Sequence, residues 1–202
     1  MSFVIGITGQ TGAGKGTAAK ILAENNMAYI DCDLVARDVV EVGSKTLDKL
    51  CDAFSDSILN ADGSLNRPEL AKIAFSSPQS VRLLNSITHP AIIDRINEII
   101  AEMDKKGKKY IVLDAPTLLE SGAADICDVI ITVVADEDIR LSRIMERDNI
   151  DCDAAERRMS AQPKPDFYIE NSDYTVYNNG DIESLREQIS RICDDILRNY
   201  IS

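Results

Sequence analysis

Residues 9–17 carry the amino acids best suited to chemistry: four glycines and a lysine in the order Gly-Gln-Thr-Gly-Ala-Gly-Lys-Gly-Thr. The run follows the apolar residues 3–7 and precedes a helix-like segment at 18–23. A glycine-rich loop between a strand and a helix turns backbone N–H groups inward, where they can bind phosphate oxygens. The positive end of the helix and the charge of Lys15 add to that attraction. The sequence therefore predicts a nucleoside triphosphate site formed by Gln10, Thr11, Gly12, Ala13, Gly14, Lys15, Gly16 and Thr17.

One position departs from the usual phosphate-loop pattern. In G-x-x-x-x-G-K-[ST], a Ser or Thr follows the lysine and its hydroxyl binds Mg²⁺, whereas Gly16 stands at that position here. Thr17 comes one residue later. We therefore expect Mg²⁺ to be held mainly through water and acidic side chains, with Thr17 and Asp114 as the candidate protein ligands.

Acidic residues end two further predicted strands. Asp31 and Asp33 follow the short run that begins at Met27, and Asp114 follows the apolar residues 111–113. In open parallel sheets, ligands bind beyond the carboxyl ends of the strands. Asp114 has the context of a Walker-B aspartate that binds Mg²⁺ directly or through water, and Asp33 could orient an attacking hydroxyl and accept its proton. Each acid could instead cap the helix that follows.

Arginines at helical spacing are further candidates for phosphate contacts. Arg37 follows Asp33 by one helical turn, so both side chains can lie on the same face. Arg140, Arg143 and Arg147 are spaced by three and four residues. Such a surface is usually just solvated. Near a triphosphate site it can also form a lid, whose closure brings guanidinium groups to the transferring phosphoryl group.

The composition is typical of an enzyme that acts on small molecules. With 22 Lys and Arg against 34 Asp and Glu, the 202-residue chain has a net charge of −12, which disfavours nucleic acid as a partner. No apolar run approaches the ~20 residues that span a bilayer. The five cysteines have no metal-ligand spacing and the first residues show no signal-peptide pattern. We expect a cytoplasmic protein with reduced thiols and no membrane partner, as a monomer or a weak homo-oligomer.

Apolar runs typical of buried strands alternate with helical patterns along most of the chain. The strand patterns fall at residues 3–7, 27–31, 110–114, 128–134 and 174–177. This alternation predicts a parallel sheet covered by helices on both faces. Residues 34–105 carry only helical patterns and predict an inserted helical lobe. Pro78 and Pro90 are each expected to open a helix, whereas Pro163 and Pro165 are expected to break the chain.

From residue 5 to the C-terminal helix, the chain resembles the dephospho-CoA kinase family. The pieces Asp-x-Asp-x-x-x-Arg at 31–37 and Leu-Asn-x-x-x-His-Pro at 84–90 are far more specific to that family than the phosphate loop. Further matching stretches are Gly6-Ile7-Thr8-Gly9, Asp62-Gly63-Ser64-Leu65-Asn66-Arg67 with Leu70, Pro116 with Leu118 and Glu120, Arg147-Asp148, Ala161-Gln162 and Asn178-Asn179-Gly180.

The resemblance implies a fold and a reaction. The fold is an α/β, three-layer P-loop kinase with a parallel sheet, an inserted helical substrate lobe and a lid. Residues 1–33 and 108–202 would form the nucleotide-binding core, 34–107 the substrate lobe, and 140–168 the lid region within the core. The reaction is transfer of the γ-phosphoryl group of ATP, with Mg²⁺, to the ribose 3′-hydroxyl of dephospho-CoA, the last step of CoA biosynthesis.

The resemblance also implies roles for individual residues. The expected catalytic residues are Lys15, Asp33 and Arg143. The expected ATP-binding residues beyond the loop are Arg147 and Asn178. The expected contacts to dephospho-CoA are Asp33, Arg37, Arg67 and His89. From the pattern alone, His89 is typical of a local hydrogen-bonding residue, and only the resemblance makes it a substrate-site or lobe-structuring residue.

Two other classes of protein share parts of these patterns. Kinases of nucleoside monophosphates or shikimate have the same core, and the helical-lobe matches argue against them. A GTP-dependent switch would normally carry an Asn-Lys-x-Asp signature, and no Asn-Lys pair occurs in this sequence. Within the resemblance itself, Gly16 replaces the usual Ser or Thr, which bears on how the metal is held, and the basic role of Lys164 in the proline-rich lid stays open.

Overall fold

The computed structural model describes residues 1–200, which form five strands and nine α-helices. The strands are β1 (Phe3–Gly9), β2 (Ala28–Asp31), β3 (Tyr110–Asp114), β4 (Val129–Val134) and β5 (Tyr174–Tyr177). The helices are α1 (Lys15–Ala23), α2 (Cys32–Asp38), α3 (Lys45–Phe54), α4 (Arg67–Ala74), α5 (Pro78–Lys105), α6 (Glu137–Asp148), α7 (Cys152–Ser160), α8 (Pro165–Glu170) and α9 (Ile182–Tyr200).

The five strands form one sheet in the order β2-β3-β1-β4-β5. The central strand β1 pairs in parallel with β3, where Ile7 lies opposite Asp114, and with β4 on its other side. The edge strand β5 is parallel to β4. The α/β fold with a parallel sheet that the sequence predicts is therefore confirmed, and the strand order places the end of β3 directly beside the start of the glycine-rich loop.

Apolar side chains on both faces of β1 explain why this strand lies at the centre of the sheet. Six of its seven residues are buried, and only Phe3 is partly exposed. Helices α1 and α9 contact each other, and α8 contacts β1 and β4. Buried residues of α1 and α9, such as Leu22 and Ile189, join the strand residues in one hydrophobic cluster. None of the five cysteines forms a disulfide within residues 1–200.

The chain divides into two compact units. The core unit comprises Met1–Ile30 and the chain from Met103 onward, and the helical unit comprises Asp31–Glu102. The helical unit has its own hydrophobic cluster, whose buried members are Val40, Leu50, Phe54, Ile58, Leu70 and Ala74. Within residues 1–200, every helix is too short or too polar to cross a lipid bilayer.

Two expectations about proline are wrong. Pro90 opens no new helix, because α5 runs without interruption from Pro78 to Lys105. The proline removes the N–H that would bond the Ser86 carbonyl, but Ser86 and Pro90 are both exposed, so that carbonyl can be hydrated. Pro165 does not break the chain; it begins α8, where the first turn needs no N–H donor from it.

Truncation of a buried leucine in the helical unit tests whether its cluster is a real core. Leu50 is fully buried in α3, so Leu50→Ala should lower the free energy of unfolding by about 2–5 kcal/mol. The control is Leu83→Ala on α5, which removes the same atoms from a side chain that is 43% exposed and should change stability by less than about 0.5 kcal/mol. Urea denaturation measures both, and equal effects would refute this assignment of the core.

Candidate active site

The glycine-rich loop leaves backbone donors unpaired at the start of α1. Gly14 is the N-cap residue, it supplies no side-chain cap, and the first turn of α1 contains no acidic residue. Among the hydrogen bonds of residues 1–200, none uses the backbone N–H of Gly14, Lys15 or Gly16. These donors and the positive end of the helix form a site that favours an anion, with phosphate oxygens as the natural acceptors.

The loop can hold this shape only with glycine at position 14. Gly14 has a φ of +93°, in the left-handed region, and a Cβ there would overlap the Asn178 side-chain amide. That amide donates to the Ala13 carbonyl at 2.8 Å, and Asn178 is buried. The Asn178 side chain therefore packs against the loop backbone at Ala13 and Gly14. Gly16 differs, because a Cβ at that position would meet no atom within 4 Å.

Lys15 and Asp114 form an ion pair at the end of the sheet. The Lys15 ammonium bonds to the Oδ1 atom of Asp114, and the side chain of Asp114 is only 8% exposed. The Tyr29 hydroxyl donates to the other carboxylate oxygen, Oδ2, at 2.6 Å. The structure thus brings together two residues that the sequence predicts for the site, Lys15 and Asp114, and adds a third that sequence reasoning missed.

Arg143 contacts the loop from α6. Its Nη1 atom donates to the Asn178 carbonyl at 3.1 Å and lies 3.5 Å from the Gly12 carbonyl. The structure therefore brings Arg143, Asn178 and the loop into one cluster. Arg147, one turn later on α6, instead makes two hydrogen bonds of 2.8 Å to Asp148, and these bonds hold the pKa of the Asp148 carboxyl below its usual value.

Four hydrogen bonds join the first residues of the loop to Arg140, Gln162 and Pro163. The Gln10 amide donates to the Pro163 carbonyl at 2.7 Å, and the Thr11 N–H donates to the Gln162 side chain at 2.7 Å. Arg140 donates to the Gln10 side chain at 2.8 Å and to the Thr11 carbonyl at 3.0 Å. Gln10 is buried, and its side chain, for which the sequence predicts an ATP contact, is hydrogen-bonded to Arg140 and Pro163.

Arg140 is a structural residue in this arrangement. Its side chain is buried, and its burial lowers the pKa of the guanidinium group. Sequence reasoning grouped Arg140 with the lid arginines and could not separate it from Arg143, because both lie at helical spacing.

A cavity of about 890 Å³ beside Arg140 is lined by Gln10, Met159, Pro163 and Tyr177 among others.

Asp31 and Asp33 take different roles at the start of α2. Oδ1 of Asp31 accepts the backbone N–H groups of Asp33 at 2.9 Å and Leu34 at 3.3 Å, so Asp31 is the helix N-cap. The Asp33 carboxylate is exposed and makes no side-chain hydrogen bond or ion pair with any residue in 1–200. Asp33 is therefore available to a ligand, whereas Asp31 is used by the helix.

Two predicted substrate-binding arginines meet in one cavity of the helical unit. Arg37 and Arg67 both line a cavity of about 400 Å³, Arg37 from the last turn of α2 and Arg67 from the start of α4. Val40, Val42 and Leu65 supply an apolar part of the same wall. The combination of two guanidinium groups and apolar side chains suits a ligand with both an anionic and an apolar part.

His89 lies in the middle of α5, partly buried, and does not line that cavity. Desolvation lowers the pKa of His89 below its ordinary value, which favours the neutral imidazole. His89 lies in α5 together with Leu84 and Asn85, and its side chain makes no hydrogen bond to another residue in 1–200.

The acidic residues do not form a complete metal cage. Within residues 1–200, no group of three or more His, Cys, Asp or Glu side chains is arranged to hold a metal ion. Mg²⁺ usually keeps several waters and binds through one or two carboxylates together with substrate phosphates. One buried carboxylate, Asp114, beside a phosphate-binding loop fits that mode. Thr17 is exposed on the first turn of α1.

Comparison with known proteins identifies the family. Residues 3–184 match the family described as dephospho-CoA kinase. The chain is 39% identical over 193 residues to the dephospho-CoA kinase of Corynebacterium efficiens, with 96% of each chain covered. It is 38% identical over 189 residues to that of Carboxydothermus hydrogenoformans, which covers 94% of this chain and 92% of the relative. The chain belongs to the dephospho-CoA kinase family.

Solved structures agree with the fold. The dephospho-CoA kinase from Campylobacter jejuni superposes with a TM-score of 0.72 at 24% identity, covering 100% of both chains. The shikimate kinase from Acinetobacter baumannii gives a TM-score of 0.57 at 15% identity over 100% of this chain and 97% of that one. At these identities the likeness shows the shared fold alone. The match to the dephospho-CoA kinase family is what separates this chain from the shikimate kinases.

Sequence reasoning missed Tyr29 and gave Gln162 no role. Tyr29 is one residue in a predicted strand, and nothing local indicates that β2 lies next to the strand of Asp114. Gln162 belongs to the Ala-Gln piece that matches the family, but its bond to the Thr11 N–H needs the fold.

Gly14→Ala should weaken ATP binding by at least tenfold. A left-handed conformation costs a non-glycine residue about 1–2 kcal/mol, and the new methyl group would also displace Asn178 from the loop. Gly16→Ala is the matched control, since its Cβ would meet open space. Isothermal titration calorimetry on both folded variants makes the comparison, and equal losses of affinity would contradict the proposed geometry of the loop.

Proposed function

We propose that this chain transfers the γ-phosphoryl group of ATP to the ribose 3′-hydroxyl of dephospho-CoA, giving CoA and ADP. Dephospho-CoA kinase activity is the final step of CoA biosynthesis. The observation that carries the proposal is the match of residues 3–184 to the family. The unpaired N–H groups before α1 and the Arg37–Arg67 cavity support it independently, because the reaction needs one site for a triphosphate and another for an acceptor that carries a pyrophosphate.

The core unit binds the ATP phosphates in this proposal. The N–H groups of Gly14, Lys15 and Gly16 donate to phosphate oxygens, and the Lys15 ammonium leaves Asp114 to contact the terminal phosphates. Arg143 stabilises the charge that develops on the transferred group. Phosphoryl transfer depends on positioning and charge neutralisation more than on covalent chemistry, so a preformed cluster of donors supplies most of what this step needs.

Mg²⁺ would be held by Asp114, directly or through water, and through water by Thr17. When bound, Mg²⁺ neutralises charge on the phosphate oxygens during transfer. Asp114 would become available to Mg²⁺ when Lys15 moves from this carboxylate to the nucleotide phosphates.

The helical unit binds the acceptor. Arg37 and Arg67 take its anionic groups, and Asp33 aligns the attacking hydroxyl and accepts its proton. His89 contributes to the acceptor site or to its structure. The same proposal assigns the nucleotide-binding role to residues 1–33 and 108–202, the acceptor-binding role to 34–107, and the lid to 140–168.

The product of the reaction tests the proposal directly. Incubation with ATP and Mg²⁺ should convert dephospho-CoA to a product that is heavier by one phosphate group, as measured by mass spectrometry. Parallel reactions with AMP and with shikimate should give no phosphorylated product. A product with either of those acceptors and none with dephospho-CoA would overturn the assignment.

Asp33→Asn should lower kcat by about 10²–10⁴-fold, the usual contribution of a general base. Asp31→Asn is the control, because Asn caps helices as well as Asp does and the two backbone N–H bonds at the start of α2 should persist. Steady-state kinetics with saturating ATP compares the two variants. If Asp31→Asn lost as much activity as Asp33→Asn, Asp33 would not be the base.

Arg67→Ala should raise the KM for dephospho-CoA about tenfold and leave the KM for ATP unchanged. A hydrogen bond to a charged group contributes about 1.5–3 kcal/mol, and Arg67 lines the cavity of the helical unit. Arg82→Ala removes an exposed arginine of the same unit that does not line the cavity, and both KM values should stay unchanged. An equal rise in the KM for ATP would contradict an acceptor-specific role for Arg67.

A further inference from the structure

We propose that Tyr29 is a positioning residue for the metal that accompanies the nucleotide. Its hydroxyl donates a hydrogen bond to one oxygen of the Asp114 carboxylate. The other oxygen is left for Lys15 and, once Lys15 binds the nucleotide, for the metal. This inference rests on the proposed function, since it concerns the metal–nucleotide complex of that site.

The strand order brings Tyr29 to Asp114. Tyr29 lies in β2, which is the neighbour of β3 in the sheet. The hydroxyl of Tyr29 donates to Oδ2 of Asp114 at 2.6 Å, and Lys15 bonds to Oδ1 of the same carboxylate. Each oxygen of a carboxylate that is almost fully buried therefore has its own donor.

The bond from Tyr29 restrains an otherwise soft torsion. The χ2 angle of an aspartate has a broad distribution, so a carboxylate without a donor in a fixed position can rotate about that bond. The Tyr29 ring packs against the hydrophobic cluster of the core unit, which fixes where its hydroxyl can reach. When Lys15 leaves for the nucleotide, the Tyr29 bond is the one that stays and keeps Asp114 in place.

Gly16 explains why this restraint matters in this chain. The loop has no hydroxyl at the position where the phosphate-loop pattern supplies a metal ligand. No three-residue cluster of His, Cys, Asp or Glu in 1–200 replaces it. Asp114 is then the main protein group for the metal, and its orientation depends on a neighbour rather than on a second ligand.

The test compares two tyrosine hydroxyls of the same unit. Tyr29→Phe removes the bond to Asp114 and keeps the ring in the core. The control is Tyr174→Phe, which removes a hydroxyl that donates to Asp195 at 2.5 Å from a ring in the same hydrophobic cluster. Electron paramagnetic resonance measures the affinity of Mn²⁺ for the complex of each full-length variant with ADP, and calorimetry in EDTA measures the affinity for ADP without metal.

Partners that orient a metal-binding carboxylate typically contribute about 10–100-fold in metal affinity. We expect Tyr29→Phe to weaken Mn²⁺ binding about tenfold at an unchanged metal-free ADP affinity, and Tyr174→Phe to change neither. Unchanged Mn²⁺ affinity in Tyr29→Phe overturns the inference. So do equal losses in both variants, or a parallel loss of metal-free ADP affinity, because these indicate general destabilisation. Failure of the parent protein to bind ADP and Mn²⁺ would refute the proposed function itself, which is a separate outcome.

Discussion

The unpaired N–H groups at the start of α1 are the constraint on which the rest of the core unit depends. Backbone donors near a folded core are costly to leave without partners, so they persist here only because the surrounding structure fixes the loop. Gly14 takes a left-handed conformation, Asn178 holds the Ala13 carbonyl from behind, and the first turn of α1 carries no acidic side chain that would occupy the donors. The loop is built to receive an anion from outside.

The charge of Lys15 follows from the same constraint. Lys15 is the first residue of α1, at the positive end of that helix, and its ion pair with Asp114 compensates the charge of the ammonium group. A triphosphate can replace Asp114 as the partner of Lys15, and in the proposed reaction the released carboxylate would bind Mg²⁺. The exchange also reconciles a chain of net charge −12 with a polyanionic ligand, because the positive charge is concentrated where the phosphates bind.

The fold was largely predictable from local patterns, because apolar runs and the strand–loop–helix order determine a parallel sheet. The five predicted strands all occur in it. The prediction for Pro90 was wrong because a proline can lie inside a helix where the carbonyl that loses its N–H donor is exposed. Water can then bond the Ser86 carbonyl instead. The glycine-rich loop motif likewise predicted from the sequence alone that Lys15 belongs to the candidate site.

The contacts around the site were less predictable, since they depend on strand order and helix packing. Tyr29 reaches Asp114 only because β2 lies beside β3, and that neighbourhood has no signal in the sequence. Gln10 is an ordinary loop residue by sequence, yet Arg140 and Pro163 hold its side chain. Arg37 and Arg67 are 30 positions apart in the sequence, and only the fold of the helical unit makes them line one cavity.

A crystal structure of the protein with ADP and Mg²⁺ would test the central claim most directly. We expect diphosphate oxygens within about 3 Å of the N–H groups of Gly14, Lys15 and Gly16, and the Lys15 ammonium bonded to phosphate instead of Asp114. A nucleotide bound away from this loop, or a Lys15 that stays on Asp114 while the diphosphate is bound, would contradict it.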